Sequence, residues 1–112
     1  MNRFSIVRLP TLKATAARVS EAAKGGPSRV LRAGGIDLID HMKEGLLAPD
    51  ELVELHAIGG DEGRALRGIE LHDDGRTSVG ALVTLGMLAE LPGMLPEGLR
   101  ALAQAAGHAA TP

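Results

Sequence analysis

Two adjacent glycines, Gly34 and Gly35, stand between the apolar run Val30-Leu31 and the segment IDLIDHMKEG, in which Ile36, Ile39, Met42 and Lys43 recur at helical offsets. A strand, a Gly-Gly turn and a helix in that order can make an anion site. Backbone N–H groups at a helix start point outward with the positive end of the dipole, and glycine lets a phosphate come close to the backbone. The same pattern also serves as a plain turn. Asp37 and Asp40 fall in the first turns of that helix, where carboxylates compensate the dipole but repel a phosphate unless they point away.

The remaining chemistry-bearing side chains form no pattern. His41, His56, His72 and His108 sit in four different predicted elements without metal-pair spacing, which reads as solvated surface imidazoles. Asp73 and Asp74 occupy a hairpin tip, a common place for Asp, and receive no acid–base role. Ser5, Ser20, Ser28 and Ser78 show no His/Asp arrangement, and no hydrolase signature is present. Met42, Met87 and Met94 read as core or interface filler. No catalytic residue and no metal ligand is assigned.

The elements that must position the glycines belong to a chain of 112 residues, enough for one compact domain over residues 1–112. Hydrophobic residues make up 45% and charged residues 23%, which is globular rather than disordered. Phe4 is the sole aromatic residue, so bases have no aromatic platform to stack on. A net charge of -2 with scattered Lys and Arg gives no basic stripe, and nucleic acid is excluded as an expected partner. With zero cysteines the chain has no disulfide, thiolate metal site or cysteine nucleophile. No apolar run approaches the ~20 residues of a membrane span, and the N-terminus lacks a signal-peptide block. A soluble, cytoplasmic chain without membrane contact is the expectation.

Arg3–Leu9 alternates and stops at Pro10, which predicts a strand. Thr11 is positioned to cap a helix carrying Leu12, Ala16, Val19 and Ala23, ended by Gly25-Gly26-Pro27. Ser28–Ala33 predicts a second strand, parallel to and beside the first, since the helix can serve as a right-handed crossover. Glu51–Ile58 predicts a third strand, and Gly59, Gly60 and Gly63 a turn or loop. Two β-compatible runs flanking Asp73-Asp74-Gly75-Arg76 predict a hairpin. The Ala- and Leu-rich remainder predicts a short helix, a break at Pro92 and a helix from about Pro96 to Gly107. The order β-α-β-α-β-β-β-α defines an α+β domain with a small mixed sheet.

Taken together, RAGGIDLIDHMKEGLLAPDELVEL, the hairpin and TSVGALVTLGMLAEL resemble the start of the FAD-binding (medium) subunit of molybdenum hydroxylases. That family includes xanthine dehydrogenase and carbon monoxide dehydrogenase types. The resemblance runs from Arg3 to about Leu91 and on into the Ala-rich tail. It implies the N-terminal subdomain of the PCMH-type FAD-binding fold.

In that family the glycine loop holds the FAD pyrophosphate through backbone N–H groups. The flavin takes electrons from a molybdopterin centre by way of two 2Fe–2S clusters. By the resemblance, Ala33, Gly34, Gly35, Asp37 and Leu38 match the loop, and Gly80 and Ala81 match the family's "GA" motif. Ile36 stands where the family usually has Thr or another polar residue, so only backbone contacts remain there. Arg32 replaces a usually apolar residue, either as a partner for phosphate or as a partly exposed strand end. The family continues past the position of Thr111-Pro112 into a second glycine-rich loop.

The implied role is therefore the N-terminal piece of a flavin subunit in an oxidoreductase complex. Its implied partners are the remaining flavin-subunit segment, a molybdopterin large subunit and an iron–sulfur small subunit. Substrate hydroxylation would belong to another chain. The alternative is a degenerate, flavin-free scaffold or interaction module from the same family.

Overall fold

The computed structural model describes residues 2–22, 25–91 and 95–109. The features expected at Ala23, Pro92, Met94 and Thr111-Pro112 lie outside those residues. Two compact units divide the chain, Met1–Arg64 and Ala65–Pro112.

The first unit is built on three short strands, β1 (Ser5–Arg8), β2 (Arg29–Arg32) and β3 (Glu51–Glu54), in the order β1-β3-β2 with both pairings parallel. The first two strands are thus parallel but not neighbours, contrary to the expectation from the crossover helix. The pattern of the third strand explains why. Leu52 and Val53 are both buried, at 1% and 0% exposure, so β3 is apolar on both faces and takes the centre. Ile6 on β1 and Leu31 on β2 stay 44% and 45% exposed, as suits edges.

Helix α1 (Leu12–Ala22) starts where expected. The Thr11 hydroxyl accepts from the Ala14 amide at 3.1 Å, and the Thr15 hydroxyl donates to the Thr11 carbonyl at 2.8 Å, which satisfies a buried polar group. The helix is tied to the sheet by charge. Glu51 accepts from Arg18 at 2.7 Å and from Arg29 at 2.5 Å, and Arg29 also reaches Glu21 at 3.1 Å. These hydrogen bonds, from Arg18 first and then Arg29, hold the Glu51 carboxyl down at a pKa of about 2.

Helix α2 (Ile36–Lys43) ends in a Schellman arrangement. Gly45 takes φ +76, its amide donates to the Met42 carbonyl at 3.2 Å, and the Leu46 amide donates to the His41 carbonyl at 2.9 Å. Met42 is buried in the core as expected.

The expected third strand is shorter than Glu51–Ile58. After Glu54 the chain turns through a 3-10 segment, Leu55–Ala57, closed by the Ile58 amide donating to the Leu55 carbonyl at 3.2 Å. The glycine-punctuated loop after it is instead helix α3 (Gly60–Leu66). Gly60 takes φ +63 at its start, and the Gly63 amide donates back to the Gly59 carbonyl at 3.0 Å.

The second unit carries the expected hairpin, β4 (Ile69–Leu71) antiparallel to β5 (Thr77–Val79). Gly75 takes φ +88 at its tip, where an L side chain would be strained, and its amide donates to the His72 carbonyl at 3.0 Å. The hairpin forms its own two-stranded sheet, so the strands do not join into one mixed sheet. Helix α4 (Leu85–Ala89) is capped reciprocally: the Met87 amide donates to the Thr84 hydroxyl at 3.1 Å, and the Thr84 amide to the Met87 sulfur at 3.3 Å. A 3-10 turn, Glu97–Leu99, leads into α5 (Arg100–Ala109), which packs on α4 around buried Leu88, Ala103 and Ala106. Among the described residues no helix is long and apolar enough to cross a membrane.

Candidate functional site

The β2–α2 junction gathers Arg32, Ala33, Gly34, Gly35, Ile36, Asp37 and Leu38 into one tight turn. Gly35 is the cap residue of α2 with φ +82 and ψ 3, a left-handed conformation that glycine adopts without penalty. Its carbonyl accepts from the Ile39 amide at 2.9 Å, which closes the first helical turn. A glycine cap supplies no side-chain acceptor, so the amides of Ile36, Asp37 and Leu38 have none from the cap and none within the helix. Gly34 is exposed, and a Cβ built on it would meet nothing within 4 Å. The turn is thus open at Gly34. Ile36 is 77% exposed and brings no polar atom, and Asp37 is an exposed carboxylate in the first turn.

Arg32 lies against the inner side of this turn. A Cβ on Gly35 would stand 2.6 Å from Arg32 Nε and 3.4 Å from its Cγ and Cδ, so glycine is required for φ, while the Arg32 side chain could shift to make room. The guanidinium Nη1 is paired with the Glu54 carboxylate, whose side chain is 7% exposed. Arg32 Nε is itself buried and has no hydrogen-bond partner. Of the two roles left open for Arg32, the structure shows the partly exposed strand end: it is the last residue of β2, and its side chain is 31% exposed. Glu54 is a residue that the sequence reading missed, although a signal was available: RVLR and ELVE carry charges three residues apart, and the parallel register sets Arg29 beside Glu51 and Arg32 beside Glu54.

Gly80 and Ala81 belong to the second unit, just past β5. The Gly80 amide donates to the Gly68 carbonyl at 3.0 Å, and a Cβ there would stand 2.2 Å from the Leu66 carbonyl oxygen and 2.5 Å from that of Ala65. Gly80 also lines a shallow concavity of about 240 Å³ with Gly68 and Ser78. A larger groove of about 400 Å³, lined by Ile69, Leu71, Met87 and Leu91 among others, contains none of the expected site residues.

The hairpin joins two residues that the sequence left unconnected. His72 Nε2 and Ser78 Oγ are 2.7 Å apart, on the face where Glu70 pairs with Ser78 across the strands. Glu70 Oε1 is 3.9 Å from His72 Nδ1 and 75% exposed, beyond hydrogen-bonding reach. The imidazole therefore lacks the orienting carboxylate bond that a nucleophilic triad uses, and the contact serves to tie the two strands together. Among the described residues no group of three or more His, Cys, Asp and Glu could hold a metal ion.

No family model matches the chain, and no curated protein matches it. Solved structures do. Quinoline 2-oxidoreductase from Pseudomonas putida 86 superposes with a TM-score of 0.78 at 23% identity over 99% of this chain. Carbon monoxide dehydrogenase from Hydrogenophaga pseudoflava, in a form lacking the Mo-pyranopterin moiety of the molybdenum cofactor, gives 0.73 at 24% over 99%. A cyanide-inactivated Cu,Mo-CO dehydrogenase gives 0.72 at 26% over 97%.

The chain spans 35% of the length of each matched chain. The fold is thus a mixed helix-and-sheet arrangement resembling that of molybdenum-hydroxylase chains. These neighbours are oxidoreductases, and the likeness extends over nearly all of this chain.

Proposed function

We propose that this chain is the pyrophosphate-binding piece of an FAD-binding, electron-transfer subunit of a molybdenum-containing hydroxylase. The observation that carries the reading is the glycine turn itself. Gly35 opens α2 in a left-handed conformation, the first-turn amides lack acceptors from the cap, and Gly34 leaves the outer side clear. A diphosphate fits this donor set, because its oxygens can take the amides of Gly35, Ile36 and Asp37 while the helix dipole favours its charge. When bound, the flavin supplies the redox chemistry. The residues of this chain bind and orient: the backbone of 34–38 supplies donors, and Arg32, its charge paired with Glu54, packs beside Gly35.

On this reading the partners are the remaining flavin-subunit segment, which would bring a second glycine loop, a molybdopterin large subunit and a 2Fe–2S small subunit. The fold likeness to 35% of the neighbours' chains supports a role as one part of a larger flavin-binding unit. The test is to purify the chain together with those partner chains and record its visible spectrum. Flavin absorbance that is lost in Gly35→Ala supports the reading, and a colourless, fully assembled complex refutes it. The scaffold alternative draws on Ile36, which is 77% exposed where a polar residue would assist an anion. It predicts assembly without flavin, and no change on Ile36→Thr.

A further inference from the structure

The hairpin of the second unit has one apolar face and an outer edge that no described strand covers. Its register sets Glu70 opposite Ser78, and the bonded rows on either side follow: the Gly80 amide donates to the Gly68 carbonyl at 3.0 Å, and the His72 amide to the Arg76 carbonyl at 2.9 Å. An antiparallel ladder alternates such bonded pairs with pairs that exchange no bond, so Ile69 and Leu71 turn their amides and carbonyls away from β5. Outside the ladder neither residue makes a described backbone hydrogen bond. Their side chains share one face of the hairpin with those of Val79 and Thr77. Leu71 is 48% exposed there, and Met87 of α4 is 41% exposed. Together with Ile69 and Leu91 they line the groove of about 400 Å³, to which no described residue of β5 contributes, so the groove follows β4.

A hairpin of two three-residue strands is marginal in water unless a third strand or a helix covers it. Helix α4 packs on α5 and leaves the apolar residues of β4 half exposed. The matched structures supply the occupant by their length. Residues of this chain are covered almost completely yet make up only 35% of each matched chain, so the greater part of each of those chains has no counterpart here. An extended segment suits this surface, because its backbone can bond to Ile69 and Leu71 while its alternate side chains enter the groove.

We propose that the outer edge of β4 and the groove beside it are the docking surface for the remaining flavin-subunit segment, which adds to the hairpin as a third strand. Its apolar side chains lie against Leu71, Met87 and Leu91, and its polar ones share the opposite face with Glu70 and Ser78. The inference rests on the reading of the chain as one part of a flavin subunit.

The test compares the chain alone with the chain co-purified with its flavin-subunit, molybdopterin and iron–sulfur partners, by hydrogen–deuterium exchange resolved to single amides. The amides of Ile69 and Leu71 exchange at least tenfold more slowly in the complex, while the Glu70 amide, bonded within the hairpin, is slow in both. Leu71→Lys weakens assembly about tenfold, and Glu70→Lys, on the opposite face, leaves it unchanged. Should Leu71→Lys fail to fold, the wild-type exchange pattern decides alone. A complex that carries flavin but leaves both edge amides as fast as in the free chain overturns the docking surface and keeps the flavin reading. Edge protection in a colourless complex does the reverse. Protection already present in the chain alone, and rising with its concentration, assigns the edge to a second copy and overturns the proposal.

Discussion

Gly35 in the first unit and Gly80 in the second occupy equivalent-looking places in the sequence, each after a short strand, but the molecule needs them for different reasons. Gly35 is required by its φ of +82, the only near atoms being those of the movable Arg32 side chain, and Gly34 beside it faces open space. Gly80 has no such backbone demand. It is required because the carbonyls of Ala65 and Leu66 at the end of α3 come within 2.5 Å of where its Cβ would be. One glycine shapes a surface that a ligand can reach, and the other closes a packing contact between backbones. Packing alone thus accounts for Gly80, and of these two glycines only Gly35 lies in the turn proposed to bind an anion.

Substitutions that probe each glycine separately break or sharpen this contrast. The largest effect is expected at Gly80→Ala, since backbone carbonyls cannot swing aside as a side chain can. A loss of about 3 kcal/mol or more in urea unfolding is predicted. Gly35→Ala should cost about 1–2 kcal/mol from the left-handed backbone, with a further loss where Arg32 must move. Its distinguishing outcome is loss of diphosphate binding, which Gly80→Ala should show only in proportion to unfolding. Gly34→Ala, with nothing near its Cβ, should change stability by less than about 0.5 kcal/mol.

Acid titration provides a control outside both glycines. Glu51 has its carboxyl lowered from 4.5 to about 2 by Arg18 and Arg29. A depressed folded-state pKa gives stability that is present above the unfolded value and lost as pH falls from about 4.5 through about 2. Glu51→Gln should therefore destabilise the first unit above that window, and the difference from wild type should shrink inside it. Chemical denaturation as a function of pH checks this, and a constant difference across the window would show that the Arg18–Glu51–Arg29 cluster does not act through charge.

Much of the local structure was legible in the sequence. The hairpin around Asp74-Gly75, the cap at Thr11 and the strand-turn-helix at Gly34-Gly35 all depend on residues close together in the chain, where turn chemistry decides the outcome. What was not legible depends on pairing at a distance. The alternation of Arg3–Leu9 and the run Ser28–Ala33 predict two strands, but only the burial of Leu52 and Val53 makes β3 the one between them.

Helix α3 was hidden for another reason. Its glycines at 60 and 63 resemble loop punctuation, yet Gly63 is buried, so tertiary packing overrides its poor helical propensity. The Arg32–Glu54 pair and the His72–Ser78 contact became visible only with strand register. Both were latent in it: the Arg-x-x-Arg and Glu-x-x-Glu spacing of β2 and β3, and the pairing of Glu70 with Ser78 across the hairpin.

The central claim is that the glycine turn receives the diphosphate of FAD, and the most direct measurement compares FAD with riboflavin, which has the same ring system and no diphosphate. In amide spectra of the purified chain, FAD should shift Gly34, Gly35, Ile36 and Asp37, and riboflavin should leave them in place. Equal shifts with both compounds, or FAD shifts confined to residues away from this turn, would contradict the account.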